Sequence, residues 1–229
     1  MKQRVFYTEW CYLLGIICLA VGVALMEAAD FGLSMVVAPA YLLHLKLQPV
    51  FSFFSFGMAE YTLQAVLLVL MCLILRRFRV SYLFSFVTAV FYGFVLDGVI
   101  ALAAFLPQET LQARFVLYIL GMVICSAGVA LVFHTYIPPE AYELFVKELS
   151  EKWNIPNHRF KTVYDLTSCA VAVLMSFLFF GFGHFEGVRL GTVACALING
   201  WLIGLISKWM EKNFVFRDAL SLRRFFEAK

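Results

Sequence analysis

Six long apolar runs dominate this chain and leave few folds open to it. Trp10 to Ala28 holds one charged residue, Glu27; Phe56 to Leu75 holds Glu60; Val80 to Leu106 holds Asp97. Phe115 to Ile137 carries only His134 as an ionisable group, and Leu166 to Phe182 and Leu190 to Ile206 carry no charge. A helix needs about 20 predominantly apolar residues to cross a hydrocarbon core of about 30 Å. The composition agrees: 63% of the 229 residues are hydrophobic and 14% charged, whereas a soluble domain has about 25% charged residues. High hydrophobicity excludes disorder, and a net charge of +3 is too small for nucleic-acid binding. The expected fold is an all-α membrane protein with six transmembrane helices in the lipid bilayer.

The basic residues predict the orientation, because cytoplasmic loops concentrate Lys and Arg. With the N-terminus inside, the inner segments hold 15 cations: Lys2, Arg4, Arg76, Arg77, Arg79, Lys147, Lys152, Arg159, Lys161, Lys208, Lys212, Arg217, Arg223, Arg224 and Lys229. The outer segments hold three, Lys46, Arg114 and Arg189. Both termini are therefore expected in the cytoplasm. No small-residue cleavage site follows the first run, so that helix is expected to stay. Cys11, Cys18, Cys72, Cys125, Cys169 and Cys195 all lie in the apolar runs without a CxxC pair. They read as small packing residues, and no disulfide, metal or cofactor is expected.

An internal repeat organises the runs. Leu14-Gly15 and Gly22-Val23-Ala24-Leu25 recur as Leu120-Gly121 and Gly128-Val129-Ala130-Leu131, each displaced by 106. Val69-Leu70-Met71 returns as Val173-Leu174-Met175 at a step of 104, and Ala89 and Gly93 as Ala196 and Gly200 at 107. Residues 1–106 and 107–229 are thus expected to be two three-helix repeats in one membrane domain. An odd number of crossings inserts the second copy upside down. Inverted repeats are a common frame for secondary transporters, with the substrate site near the midplane between the halves.

Each first span is followed by a segment too long for an ordinary loop. In the second copy Pro138-Pro139 ends one helix and opens another, in which Tyr142, Phe145, Val146, Leu149 and Trp153 fall at helical spacing. With Glu140, Glu143, Lys147, Glu148, Glu151 and Lys152 between them, this reads as an amphipathic helix lying on the inner interface. The counterpart, Leu33 to Gln48, is more apolar, and Phe51, Phe53, Phe54 and Phe56 follow it with Ser52 and Ser55 between. It is expected to be interfacial or re-entrant.

Four short motifs resemble the YczE/YitT-like bacterial integral membrane proteins over nearly the whole chain: Phe31-Gly32-Leu33-Ser34, Gly93-Phe94-Val95-Leu96-Asp97, Lys161-Thr162-Val163-Tyr164-Asp165 and Gly191-Thr192-Val193. The sequence stops soon after the sixth run, so the resemblance is closer to the YczE branch than to the YitT branch with its soluble C-terminal domain. It implies a bacterial inner (plasma) membrane protein and names no substrate.

Ionisable residues inside the membrane are costly and usually face the bundle interior. Asp97 lies roughly 25 Å from the inner end of its helix at 1.5 Å per residue. Glu27, Asp30 and Glu60 lie toward the same outer half, and their repeat partners differ: Glu27 maps to Phe133, Asp97 to Gly204, and Glu60 to the vicinity of Tyr164 and Asp165. An outward-facing acidic pocket for a proton or cationic group is expected, with Asp97 and Glu27 at its core. Asp97 has the alternative of a helix-to-helix hydrogen bond, and Glu27, Asp30 and Glu60 of plain interfacial solvation. A second constellation, His134, Lys161, Tyr164, Asp165 and Asn199, is placed to face an inner cavity. Lys161 and Asp165 also read as an ordinary surface pair, and Asn199 as a hydrogen bond between helices. Gly15, Gly22, Gly121, Gly128, Gly200 and Gly204 allow close helix contact, and the prolines fall outside the helix cores.

No HExxH, GxSxG, P-loop or dinucleotide fingerprint occurs, so no enzyme is expected. The expected function is a secondary transporter or small-molecule-binding membrane protein. Two alternatives are an accessory protein docking a partner through Glu140 to Trp153, and a vitamin-binding component of a multi-subunit importer.

Overall fold

The computed structural model describes residues 4–226 except 33, 107–109, 156 and 182–188, and the side chains of 157–159, 224 and 225 also lie outside the description. Lys2, Leu33, Phe182 and Lys229, used in the sequence reading, fall outside the described residues.

In chain order the elements are β1 (Arg4–Tyr7), α1 (Thr8–Ala29), α2 (Ala38–Leu47), α3 (Phe56–Leu75) and α4 (Val80–Ala103). Then come α5 (Leu111–Phe133), α6 (Ala141–Trp153), α7 (Asn157–Phe180), α8 (Leu190–Asn213), β2 (Phe214–Arg217) and the single turn α9 (Arg223–Phe226). Six helices, α1, α3, α4, α5, α7 and α8, are long and apolar enough to cross a membrane, and the chain is a multi-pass membrane protein. Local chemistry sets their ends. The Ser55 hydroxyl accepts from the Met58 N–H to start α3, and Thr110 accepts from Ala113 to start α5, each satisfying one of the orphan donors of a helix start.

Two helices differ from expectation in extent. α7 begins at Asn157, not Leu166, because Lys161 and Asp165 pair one turn apart and are buried in its first turns. α8 runs on past Ile206 to Asn213, where its end leads into β2. The two short strands were not legible as such. They pair in parallel, Arg4 with Phe214 through Tyr7 with Arg217. The Glu9 carboxylate secures the same strap by accepting from the backbone N–H groups of Ala219 and Leu220 and from the Tyr136 hydroxyl.

The centre is the crossing of α1 and α5. An added Cβ on Gly15 would meet the Gly128 carbonyl, and one on Gly22 the Gly121 carbonyl, with the reverse contacts also present. Residue numbers rise on one helix as they fall on the other, so the two pack antiparallel. Backbone contact at this distance needs glycine on both sides, since a side chain on either would push the helices apart. α4 packs on α1, α8 on α5, and α3 and α7 pack on α4 and α8 in turn.

The amphipathic helix is not on the surface. Ala141, Tyr142, Glu143, Leu144, Val146, Glu148, Leu149 and Ser150 of α6 are all buried, which corrects the expectation of a helix lying on the inner interface. α6 runs beside α3: the Ala141 N–H donates to Gln64, and Lys152 donates to the Ile74 carbonyl. Gln64 is eight residues into α3, roughly 12 Å along a spanning helix, so α6 starts deep in the bundle and runs out to its end. Its outer end is fixed by Glu148, which accepts from Arg77 at 2.6 Å, Arg79 at 3.2 Å and the Tyr82 hydroxyl at 3.0 Å. α2 dips in likewise against α7, with Ala38 and Leu42 packed on Ala172 and Lys46 donating to the Phe179 carbonyl. Both short helices begin near the middle of the bundle.

Candidate functional site

The starts of α6 and α2 approach the α1–α5 crossing and leave a cavity of about 30 Å³ between them. A water molecule needs about 10–15 Å³, so the space admits a water or an ion and little more. Its lining has an internal pattern. Leu19 and Cys125, Val23 and Val129, Ser34 and Glu140, Val36 and Tyr142, and Val37 and Glu143 all line it, each pair 106 apart in sequence. Tyr92 and Asn199 line it as well and are 107 apart. Among the described residues, Lys161 alone has no such counterpart in the lining.

Around this cavity lies an acid cluster. Glu60 and Gln64 are 0% exposed, Asp165 1%, Glu140 and Lys161 4%, and Glu143 5%. α3 supplies Glu60 and Gln64 one turn apart, α6 supplies Glu140 and Glu143, and α7 supplies Lys161 and Asp165. The Ser85 hydroxyl donates to the Pro139 carbonyl and Thr88 to the Pro138 carbonyl, holding the turn that aims Glu140 inward. The Gln64 amide donates to Glu140 at 3.3 Å while its oxygen accepts from the Ala141 N–H. The Tyr142 hydroxyl donates to Glu60 at 2.9 Å. Lys161 lies 3.2 Å from Asp165 and 3.6 Å from Glu143.

Four carboxyls thus share one ammonium group. Ionised together they would leave a large uncompensated charge away from water, which a low-dielectric interior does not tolerate. The cluster must hold protons or admit cations. Burial, then Glu143 and then Glu60, push the Glu140 carboxyl well above the usual carboxylate range, favouring its neutral form. Glu60 Oε1 and Glu140 Oε1 have no hydrogen-bond partner among the described residues, and Asp165 Oδ1 has only its ion pair with Lys161.

A second space lies behind Tyr142. It is an apolar crevice of about 330 Å³ between α3 and α7, walled also by α2 and α6, and Val36 and Tyr142 border both spaces. Tyr142 therefore stands between the apolar crevice and the smaller cavity, with its hydroxyl on Glu60.

The expected outer acidic pocket is not assembled. Asp97 accepts from the Ser55 hydroxyl at 2.5 Å and the Gly57 N–H at 2.8 Å, so it binds α4 to the start of α3. Asp30 lies 2.9 Å from Arg114 and 2.6 Å from Arg189. Glu27 is half-buried in the last turn of α1, where its carbonyl accepts from the Asp30 N–H. Only Glu60 joins the buried cluster, turned toward α6. Of the inner constellation, Lys161, Tyr164, Asp165 and Asn199 gather around the two spaces, and Lys161 with Asp165 is a buried pair instead of a surface one. Asn199 accepts from Ser126 at 2.7 Å across α8 and α5. His134 is elsewhere: it donates to the Ala130 carbonyl, lies 3.4 Å from Glu211 and packs on Phe216. Sequence reasoning missed Gln64, Tyr92, Tyr142, Glu140 and Glu143 as site residues. The first stands one turn after Glu60, a signal that was available. The two glutamates were read as a solvated helix face.

Among the described residues no group of three or more His, Cys, Asp or Glu is arranged to hold a metal ion. Residues 6–208 match the profile of a family of unknown function, DUF6198. No curated protein and no solved structure matches the chain.

Proposed function

This chain belongs to the DUF6198 family, and we propose that it is a secondary transporter built on an inverted repeat, with the Glu60–Glu140–Glu143–Lys161–Asp165 cluster as its proton site. One observation carries the reading: a buried cluster with more carboxyls than cations borders a cavity whose lining pairs residues 106 or 107 apart. Such pairing is what a two-fold axis between two copies produces. The contacts between helices support it. Exchanging α1 with α5, α2 with α6, α3 with α7 and α4 with α8 turns the α1–α4 contact into α5–α8, α3–α4 into α7–α8, α2–α3 into α6–α7, and α2–α7 into α3–α6. The glycine contacts obey the same exchange, since Gly15 meets Gly128 and Gly22 meets Gly121. In inverted-repeat transporters the site lies on this axis near the midplane, and short helices start there with their positive ends toward it.

On this reading both termini are cytoplasmic, the outer segments are those with few cations, and the membrane is the bacterial inner membrane that the YczE/YitT-like resemblance implies. Docking of a partner along Glu140 to Trp153 is less favoured, because most of that helix is inside the bundle. The test is a screen of organic cations, amines, carboxylates and sugars on the full chain in liposomes with a trapped pH dye. Transported compounds should shift lumenal pH, and Glu140→Gln should abolish the shift. A shift that persists unaltered in that variant overturns the reading.

A further inference from the structure

Resting on the transport reading, the geometry points to a substrate class: we propose that the crevice between α3 and α7 takes a lipophilic organic cation, which exchanges with a proton on Glu60 past Tyr142. The crevice opens toward the bilayer. Val66, Leu70 and Val171 line it and are 53%, 47% and 43% exposed on spanning helices, so an apolar molecule dissolved in lipid reaches it without crossing water. Its volume of about 330 Å³ lies in the range of small-molecule sites.

The walls select the rest. Three aromatic residues, Tyr142, Phe145 and Tyr164, line the space; the Lys161 ammonium already lies 5.5 Å over the Tyr164 ring, which leaves Tyr142 and Phe145 for a guest cation. Aromatic faces attract cations, more strongly where water is absent. Few hydrogen-bonding groups are free for a neutral polar guest, as the Thr167 hydroxyl already donates to the Val163 carbonyl. An anion would meet the four carboxyls behind the wall. Glu60 lies on the same face of α3 as Leu63 and Leu67, three and seven residues on, and both leucines line the crevice. Its Oε2 accepts from Tyr142, and its Oε1 is unpartnered among the described residues.

The exchange balances simply. The protonated Glu60 carboxyl loses its O–H proton, and the resulting carboxylate is neutralised by the arriving cation in its place. One proton leaves for each monovalent cation bound. Tyr142 is a positioning residue here: its hydroxyl must turn from Glu60 for the cation to approach.

The experiment uses the purified full chain in detergent, with tetraphenylphosphonium as the cation and triphenylphosphine oxide as the neutral counterpart. Binding is read by equilibrium dialysis and proton release by an indicator in weak buffer. Each variant is first checked for a monodisperse, helical state. The wild type should bind the phosphonium, release about one proton per cation and bind the oxide at least tenfold more weakly. Glu60→Gln should release no proton and lose at least tenfold in affinity. Leu67→Trp, which fills the crevice, should also lose phosphonium binding. Equal binding of the oxide, as for a lipid chain, overturns the proposal, as does binding unaltered in folded Glu60→Gln or absent from the wild type. The liposome screen separates the two readings. Glu140-dependent pH shifts driven only by neutral or anionic compounds would refute the cation and leave the transporter standing.

Discussion

The two short helices α2 and α6 start beside the same cavity and bring opposite chemistry to it. α2 and α6 enter from opposite ends, start beside the same cavity and pack on exchanged partners. The approach to α2 brings Ser34, Val36 and Val37 to the cavity, where α6 and its lead-in bring Glu140, Tyr142 and Glu143. Of the two approaches to the cavity, only the one to α6 brings acids to it. On the transport reading proposed above, the two helices would be arms rocking about an axis, and one arm alone needs to carry titrating groups. The asymmetry is also physically sensible, because two more buried acids in place of Ser34 and Val37 would have no Lys161 to share.

The comparison breaks most sharply at that lysine. Lys161→Ala strands Glu143 and Asp165, and thermal unfolding in detergent should show a loss of about 3–5 kcal/mol. Among the described residues of the first half, no lysine is buried between two acids in this way. At the shared axis the halves should instead behave alike. Gly22→Leu and Gly121→Leu each overpack the α1–α5 crossing and should cost similar amounts, about 1–3 kcal/mol apiece; a large difference between them would contradict a two-fold arrangement.

The pH dependence isolates the loaded arm. Glu140 is held above the free-carboxyl range, so the folded state binds more protons than the unfolded one between the two pKa values. Stability is then highest below the unfolded pKa, about 4.3, and falls as pH rises, by up to about 1.4 kcal/mol per pH unit for each such group. Replacing the residues at the start of α6 by those that lead into α2, Glu140→Ser with Tyr142→Val and Glu143→Val, should flatten this slope of melting temperature against pH while the chain still folds. The smallest effect belongs to Asp97. Asp97→Asn weakens the start of α3 and should cost about 1 kcal/mol.

The spans were legible because length and hydrophobicity alone decide what crosses a bilayer, and the glycines of the α1–α5 crossing repeat at a spacing visible by eye. The site was legible only in part. Lys161, Tyr164, Asp165, Asn199 and Glu60 stand out as polar residues in or beside apolar runs. Glu140 and Glu143 do not, because the alternation of charged and apolar residues in Ala141–Trp153 is the same for a helix on a membrane surface and for one inserted among polar partners. What distinguishes the cases is the set of residues waiting for it, Gln64, Tyr82, Arg77 and Lys161, and these are brought together from α3, α4, the connection between them and α7 only by the fold. Asp97 is ambiguous for the converse reason: a lone acid in a span suggests either a ligand site or a hydrogen bond between helices, and the fold supplies the second through the Ser55 hydroxyl and the Gly57 N–H of a neighbouring helix start.

The central claim is that the buried cluster holds a proton near neutral pH. Infrared spectroscopy of the purified chain measures this directly through the carbonyl stretch of a protonated carboxyl. The wild type should show that band at pH 7, resistant to exchange into heavy water, and Glu140→Gln should diminish it. A wild-type spectrum with every carboxyl ionised at pH 7, or a band untouched by Glu140→Gln, would contradict the account.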